Sequence, residues 1–223
     1  MRFLGLAALA VGLCSVASAT RLTFDQVSGA VIDATSTTNA PIYGDRVTSA
    51  VMGNHSYGSE FGFTPNVSIE YWVVNSGGTF PGNSTWTSGY GDLVNTVWSG
   101  GFSGEVPNDG FVRLTADAGF TVNLHSFKTA VWATGPANYT GIEVRNESGT
   151  VLYSNSTAHP VGSHVFHDFT ASPLMGQALT IKYGQGWWIT LDDVTFSQAV
   201  PEPGTLALLA LGLPALLRRR RKG

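Results

Sequence analysis

Apolar and polar residues alternate in short runs along the middle of the chain, and no segment from 20 to 200 keeps a helical period. Val67, Ile69, Tyr71 and Val73 alternate with Ser68 and Glu70. Ile142 and Val144 alternate with Glu143 and Arg145, and Thr150 to Tyr153 return after an Asn146-Glu147-Ser148-Gly149 turn. A period of two bounded by Gly, Asn and Ser predicts half-buried strands joined by tight turns. Further strands are expected at Leu22 to Phe24, Arg46 to Met52, Leu93 to Trp98, Phe111 to Thr115, Thr121 to Leu124, His164 to Phe169, Ala178 to Tyr183 and Trp187 to Phe196. About ten short strands with Gly-rich turns argue for an all-β, antiparallel β-sandwich of the jelly-roll kind.

Two of these strands change phase. Val122 and Leu124 share a face, but Phe127, Thr129 and Val131 continue it one step late, which predicts a bulge near Ser126. Ile189 and Leu191 hand over to Val194 and Phe196 in the same way, with the slip at Asp192-Asp193.

The two ends read differently from the body. Arg2, the apolar stretch Phe3 to Val16 and Ala17-Ser18-Ala19 form a signal peptide over residues 1–19, with signal peptidase cutting before Thr20. At the other end Pro201-Glu202-Pro203 precedes the apolar run Leu206 to Leu217 and the cluster Arg218, Arg219, Arg220, Arg221 and Lys222. Two prolines make an extended linker that a processing enzyme can grip. The apolar run reads as a membrane helix whose basic end stays cytoplasmic. The organisation is therefore 1–19 signal peptide, 20–198 sandwich and 199–223 tail.

This tail resembles the PEP-CTERM sorting domain, also known as the ice-binding protein C-terminal domain. The resemblance implies an exosortase partner that cleaves near Pro201-Glu202-Pro203. It also implies transient inner-membrane anchoring in a Gram-negative bacterium that makes exopolysaccharide, and a final place at the cell surface or in the medium. It says nothing of what the body binds.

Charge changes the picture once the ends are set aside. Between Thr20 and Val200 stand six Lys and Arg and fourteen Asp and Glu, a net charge of −8. Such a body repels nucleic acid phosphate. The one cysteine, Cys14, lies in the leader, so the mature body forms no internal disulfide.

From about residue 108 the chain resembles galactose-binding-like β-sandwich modules. The likeness rests on Gly119-Phe120-Thr121-Val122-Asn123-Leu124 and Leu191-Asp192-Asp193-Val194-Thr195-Phe196. It implies the sandwich fold and glycan binding.

Calcium is the first candidate for chemistry. Asp25 opens the body and Asp192-Asp193 closes it, and a jelly roll sets first and last strands side by side. Asp25, Asp192 and Asp193 would then supply the hard oxygens a structural calcium ion takes. Aromatic stacking on sugars is the second, with Trp132, Tyr139, Trp187 and Trp188 as its residues; adjacent Trp187 and Trp188 point to opposite faces of a strand. His164 and His167, three apart in a strand, also face opposite ways and do not share a metal. Glu70, Glu105 and Glu143 show no pattern that marks a glycosidase pair. The expected function is a non-enzymatic, structural or adhesive surface protein that binds glycan. A secreted glycan-active enzyme and a self-associating matrix protein are the alternatives.

Overall fold

The computed structural model describes residues 19–25, 43–53, 55–58, 62–86, 88–99, 109–134, 141–155, 158–184 and 188–199. The leader through Ser18 and the tail from Val200, with the predicted helix, lie outside the described residues. Among the described residues there is no helix, and so none long and apolar enough to cross a membrane.

The strands are β1 (Ala19–Leu22), β2 (Val51–Met52), β3 (His55–Ser56), β4 (Val67–Asn75), β5 (Gly78–Pro81), β6 (Ser84–Trp86), β7 (Thr96–Trp98), β8 (Asp109–Ala116), β9 (Thr121–Val131), β10 (Ile142–Asn146), β11 (Val151–Asn155), β12 (His164–Asp168), β13 (Leu174–Gly176), β14 (Ala178–Tyr183) and β15 (Ile189–Ala199). Two antiparallel sheets form a sandwich. The first runs β12-β9-β15-β7-β6, with β1 beside β15 and β13 beside β9. The second runs β11-β10-β14-β8-β4-β5. β2 and β3 pair separately.

Alternation explains why the sheets close on each other. In β8 the buried residues Gly110, Val112, Leu114 and Ala116 alternate with half-buried Asp109, Phe111, Arg113 and Thr115. In β4, Val67, Ile69, Tyr71 and Val73 do the same. Their inward rows meet Val122, Leu124, Phe127, Leu191, Val194 and Phe196 from the first sheet, all fully buried.

Both phase slips are real. The β9–β15 register breaks between Asp192 and Thr195 and again between Thr195 and Phe196, opposite Lys128, Ser126 and Leu124. The two bulges face each other, so each long strand keeps its apolar face inward on both sides of the break. The hairpin at Asn146 to Gly149 also forms. Gly149 N donates to Asn146 O at 2.9 Å, and Asn146 Oδ1 accepts from Thr150 N at 2.9 Å.

Two expectations need correction. Of Arg46 to Met52 only Val51–Met52 is strand, because residues 43–46 turn instead. Of Leu93 to Trp98 only Thr96–Trp98 pairs. Strand pairing reaches one residue beyond 20–198 at each end. Ala19 pairs with Ser197, and Ala199 with Thr121. A cut before Thr20 thus falls inside β1.

Candidate functional site: an aspartate junction and the cleft beside it

The last strand changes neighbour part-way along. β1 pairs with β15 over Val194 to Ser197, and β7 pairs with it over Thr190 and Leu191. Asp192 and Asp193 sit between the two ladders. Asp25, just past β1, and Asn95, just before β7, come into that gap, and Asn95 Nδ2 donates to Asp25 Oδ1 at 2.5 Å. Phe24, Asn95 and Asp193 all take positive φ here, at 54°, 60° and 48°. Non-glycine residues hold such angles at a cost, where the surroundings over-determine them. At Phe24 the neighbouring tyrosines supply that constraint. Phe24 N donates to Tyr43 Oη at 2.7 Å, the Phe24 and Tyr43 rings stack at 5.0 Å, and Tyr71 Oη donates to Tyr43 O at 3.0 Å.

Within the junction the aspartates divide. Asp192 is buried, and its Oδ1 accepts from Asp193 N at 2.7 Å. Burial pushes its carboxyl well above the usual range, and the charges of Asp193 and Asp25 push the same way. Asn95 Oδ1 is buried with no hydrogen-bond partner. Asp193 turns outward. Its Oδ2 lies 2.7 Å from Lys128 Nζ and its Oδ1 3.7 Å from Arg21 Nε. The first and last strands do meet as expected, but the expected three-aspartate set does not assemble. The bulge aims Asp193 at two cations and away from its neighbours. Among the described residues no three His, Cys, Asp or Glu side chains group as a metal would need.

Asp193 opens into a cleft of about 570 Å³ on the outer face of the first sheet. β1 lends it Ala19 and Arg21, β9 lends His125, Ser126 and Lys128, and Phe166, Thr170, Asp193 and Thr195 complete it. These side chains point out because Leu22, Phe127 and Val194 next to them point in. Phe166 is 52% exposed, a large apolar ring held in water beside charged and hydroxyl groups. His125 Nε2 meets Ser197 Oγ at 2.8 Å, and burial lowers its pKa.

The aromatic residues expected to stack on sugar lie elsewhere. Trp132 packs edge-on against Trp86 at 5.9 Å and Tyr90 at 5.1 Å, in a small cluster apart from the main core. Trp188 is partly buried against the main core. Tyr139 and Trp187 lie outside the described residues, as do Ala17, Pro201, Glu202, Pro203 and Arg218 to Arg221. The alternation argument holds for the histidines. His164 faces Asp92 at 2.9 Å, while His167 points inward. Phe166, between them, takes the outward place in the cleft. Its exposed position between two residues that invite a metal reading hid it in the sequence.

β15 ends at Ala199, and the chain runs directly into Val200-Pro201-Glu202-Pro203, the apolar run and the arginines. Residues 199–222 match the PEP-CTERM protein-sorting motif. The sorting motif implies exosortase processing during export and a secreted or cell-surface location in a bacterium. No curated protein matches the chain. Among solved structures the chain is similar to wild-type discoidin II from Dictyostelium discoideum, at 11% identity and a TM-score of 0.29. That likeness covers 56% of this chain and 44% of discoidin II, so the chain spans less than half of that protein.

Proposed function

We propose that this is a structural or adhesive protein of a Gram-negative cell surface that binds exopolysaccharide through the cleft at Asp193. The apolar run Leu206 to Leu217 holds the precursor in the inner membrane, with Arg218 to Arg221 on the cytoplasmic side. Exosortase then cuts near Pro201-Glu202-Pro203, and the sandwich remains outside.

The cleft's lining carries the glycan reading. Its volume suits a small ligand. A sugar presents hydroxyls that both donate and accept, and Asp193, Arg21, Lys128, Ser126, Thr170 and Thr195 offer both. Its apolar ring face has Phe166 to stack on. Among the described lining residues Asp193 is the one carboxylate, whereas hydrolysis of a glycoside uses two across the bond. That favours binding over the enzyme alternative. A glycan array probed with the full-length chain, in a detergent without a sugar headgroup, tests the reading. Phe166→Ala and Lys128→Ala should each weaken any positive signal by about tenfold, or roughly 1.4 kcal/mol. A signal unchanged in both variants removes the cleft from the function.

Processing has its own test. Mass spectrometry of the protein from its host should find neither Met1 nor the arginine cluster. Replacing Arg218 to Arg221 by Ser should leave unprocessed precursor. Normal processing of that variant would show that the cluster does not set the tail's topology.

We also propose a structural calcium ion at the junction, held by Asp25, Asp192 and Asn95. Asn95 Oδ1 supports it, because a buried amide oxygen without a donor is costly unless a cation takes it. Asp25, which accepts from Asn95 Nδ2, would supply charge, and Asp192 would give up its proton on binding the ion. Asp193, committed to Lys128 and Arg21, is not among the ligands.

A further inference from the structure

The outer face of the second sheet carries side chains that neither the cleft nor the junction uses. Pro81, Trp72, Phe111, Lys182 and Glu143 are successive cross-strand partners from β5 through β4, β8 and β14 to β10. The Trp72 and Phe111 rings lie parallel within 3°, their centroids 5.0 Å apart. Two residues along the same strands, Glu70 stands opposite Arg113. A depression of about 410 Å³ lies beside Trp72, edged by Glu70, Thr79 and Pro81.

The charged groups on this face are of two kinds. Lys182 is bound to Asp109 at 2.9 Å and Arg145 to Glu143 at 2.6 Å. Glu70 and Arg113 are uncommitted: among the described residues neither makes an ion pair or a side-chain hydrogen bond. Arg113 Nε is moreover buried without an acceptor. A cross-strand aromatic pair is enough to explain Trp72 and Phe111 as sheet stabilisers. It does not explain an acid and a base left open at directly opposite positions beside them.

The backbone under the rings is firmly held. Asn83 is fully buried. Its amide nitrogen donates to Trp72 O at 3.1 Å and Gly82 O at 3.0 Å, while its oxygen accepts from Tyr183 Oη at 2.7 Å. A rigid support of this kind lets side chains meet a ligand without prior ordering cost.

We propose that this face is a second saccharide-binding surface, for a neutral polysaccharide chain. The charges select neutrality. Glu70, Asp109 and Glu143 are matched by Arg113, Arg145 and Lys182, and the body as a whole, at −8, repels a polyanion. Sugar hydroxyls accept from Arg113 and donate to Glu70 at once, and Trp72 offers an apolar surface next to them. The face uses none of the cleft's residues and points away from it across the sandwich. Where the cleft also binds glycan, one molecule bridges two chains, and that consequence alone rests on the cleft reading.

The test is titration calorimetry of the full-length chain with soluble neutral hexasaccharides of glucose, mannose and galactose, in a detergent without a sugar headgroup. The double variant Lys128→Ala with Phe166→Ala disables the cleft. It should still bind at least one hexasaccharide that the wild type binds. In that background Trp72→Leu and Arg113→Gln should each weaken binding about tenfold or more. Arg113→Gln keeps the aromatic pair, so it remains informative if Trp72→Leu folds poorly. Binding abolished by the cleft variant alone would overturn the second surface and leave the cleft reading standing. Binding unaffected by both face variants would also overturn it. A wild type that takes none of the hexasaccharides would remove it outright.

Discussion

Lowering the pH from 8 to 4.5 is expected to cost the fold about 3 kcal/mol through His167 alone, a drop of roughly 5–10 °C in melting temperature. His167 is buried where the edge of the first sheet meets the edge of the second. Its Nε2 meets Thr129 Oγ1 at 2.7 Å, and its Nδ1 meets Tyr153 Oη at 2.9 Å. The same Thr129 oxygen lies 2.7 Å from His159 Nε2. One hydroxyl carries one proton, so it donates to one imidazole and accepts from the other. The chain is satisfied with both rings neutral. Burial pulls the His167 pKa from 6.5 down to about 3, with nearby His159 acting in the same direction.

The unfolded chain therefore binds a proton that the folded chain refuses between pH 6.5 and about 3. This part of the stability is fully present above pH 6.5 and is lost as the pH falls. His125, also lowered by burial, adds in the same sense. Asp192 acts oppositely. Its folded pKa is raised, so the folded state keeps a proton that the unfolded state gives up, and acidification toward the ordinary carboxylate range favours folding through that group. Urea or thermal melts in EGTA at pH 8 and 4.5 measure the sum. His167→Gln should lose most of the difference, and Asp192→Asn should enlarge it. An equal pH difference in wild type and His167→Gln would show that the histidine pair is not what acid attacks.

The second large effect is expected from calcium. An ion that binds only the folded state stabilises by mass action, by about 2.7 kcal/mol at a hundredfold excess over its dissociation constant. Melting of the full-length chain in EGTA and in millimolar calcium would read this as a shift of roughly 5–10 °C. Asp25→Asn and Asp192→Asn should each remove most of the shift. In EGTA Asp192→Asn should not lower stability, because it removes a carboxylate that burial already disfavours. Asp193→Asn is the discriminating variant. It should retain the calcium shift, since Asp193 faces Lys128 and Arg21 across the strand surface. Loss of the shift in Asp193→Asn would restore the three-aspartate set. Identical melting of the wild type in both buffers would leave the junction as a strained but metal-free corner.

Much of the fold was readable because alternation is local. Whether Val112 faces in and Arg113 faces out follows from a period of two, and the slips at Ser126 and Asp192-Asp193 are visible as broken periods. Short edge strands were not. Gly78–Pro81, Ser84–Trp86 and Leu174–Gly176 are too brief to show a period, and each is strand only because a neighbour, β4, β7 or β9 in turn, offers an edge to pair with. The sorting motif needed no fold at all, since charge, apolar length and prolines act along the chain itself.

The sites belong to the other class. That Asp25 comes to the same end of β15 as Asp192 was inferable from the adjacency of first and last strands, but Asn95 enters only because β7 takes over from β1 on β15. The cleft joins Arg21, Lys128, Phe166 and Asp193, which are neighbours solely through the order β1-β15-β9-β12. Trp72 and Phe111 are equally remote in sequence, and the β4–β8 register sets them face to face. Sequence determined which way each side chain points from its strand, because that depends on parity. Only the tertiary structure decided which outward side chains share a surface, because strand order and register are settled by burying the whole inward face at once.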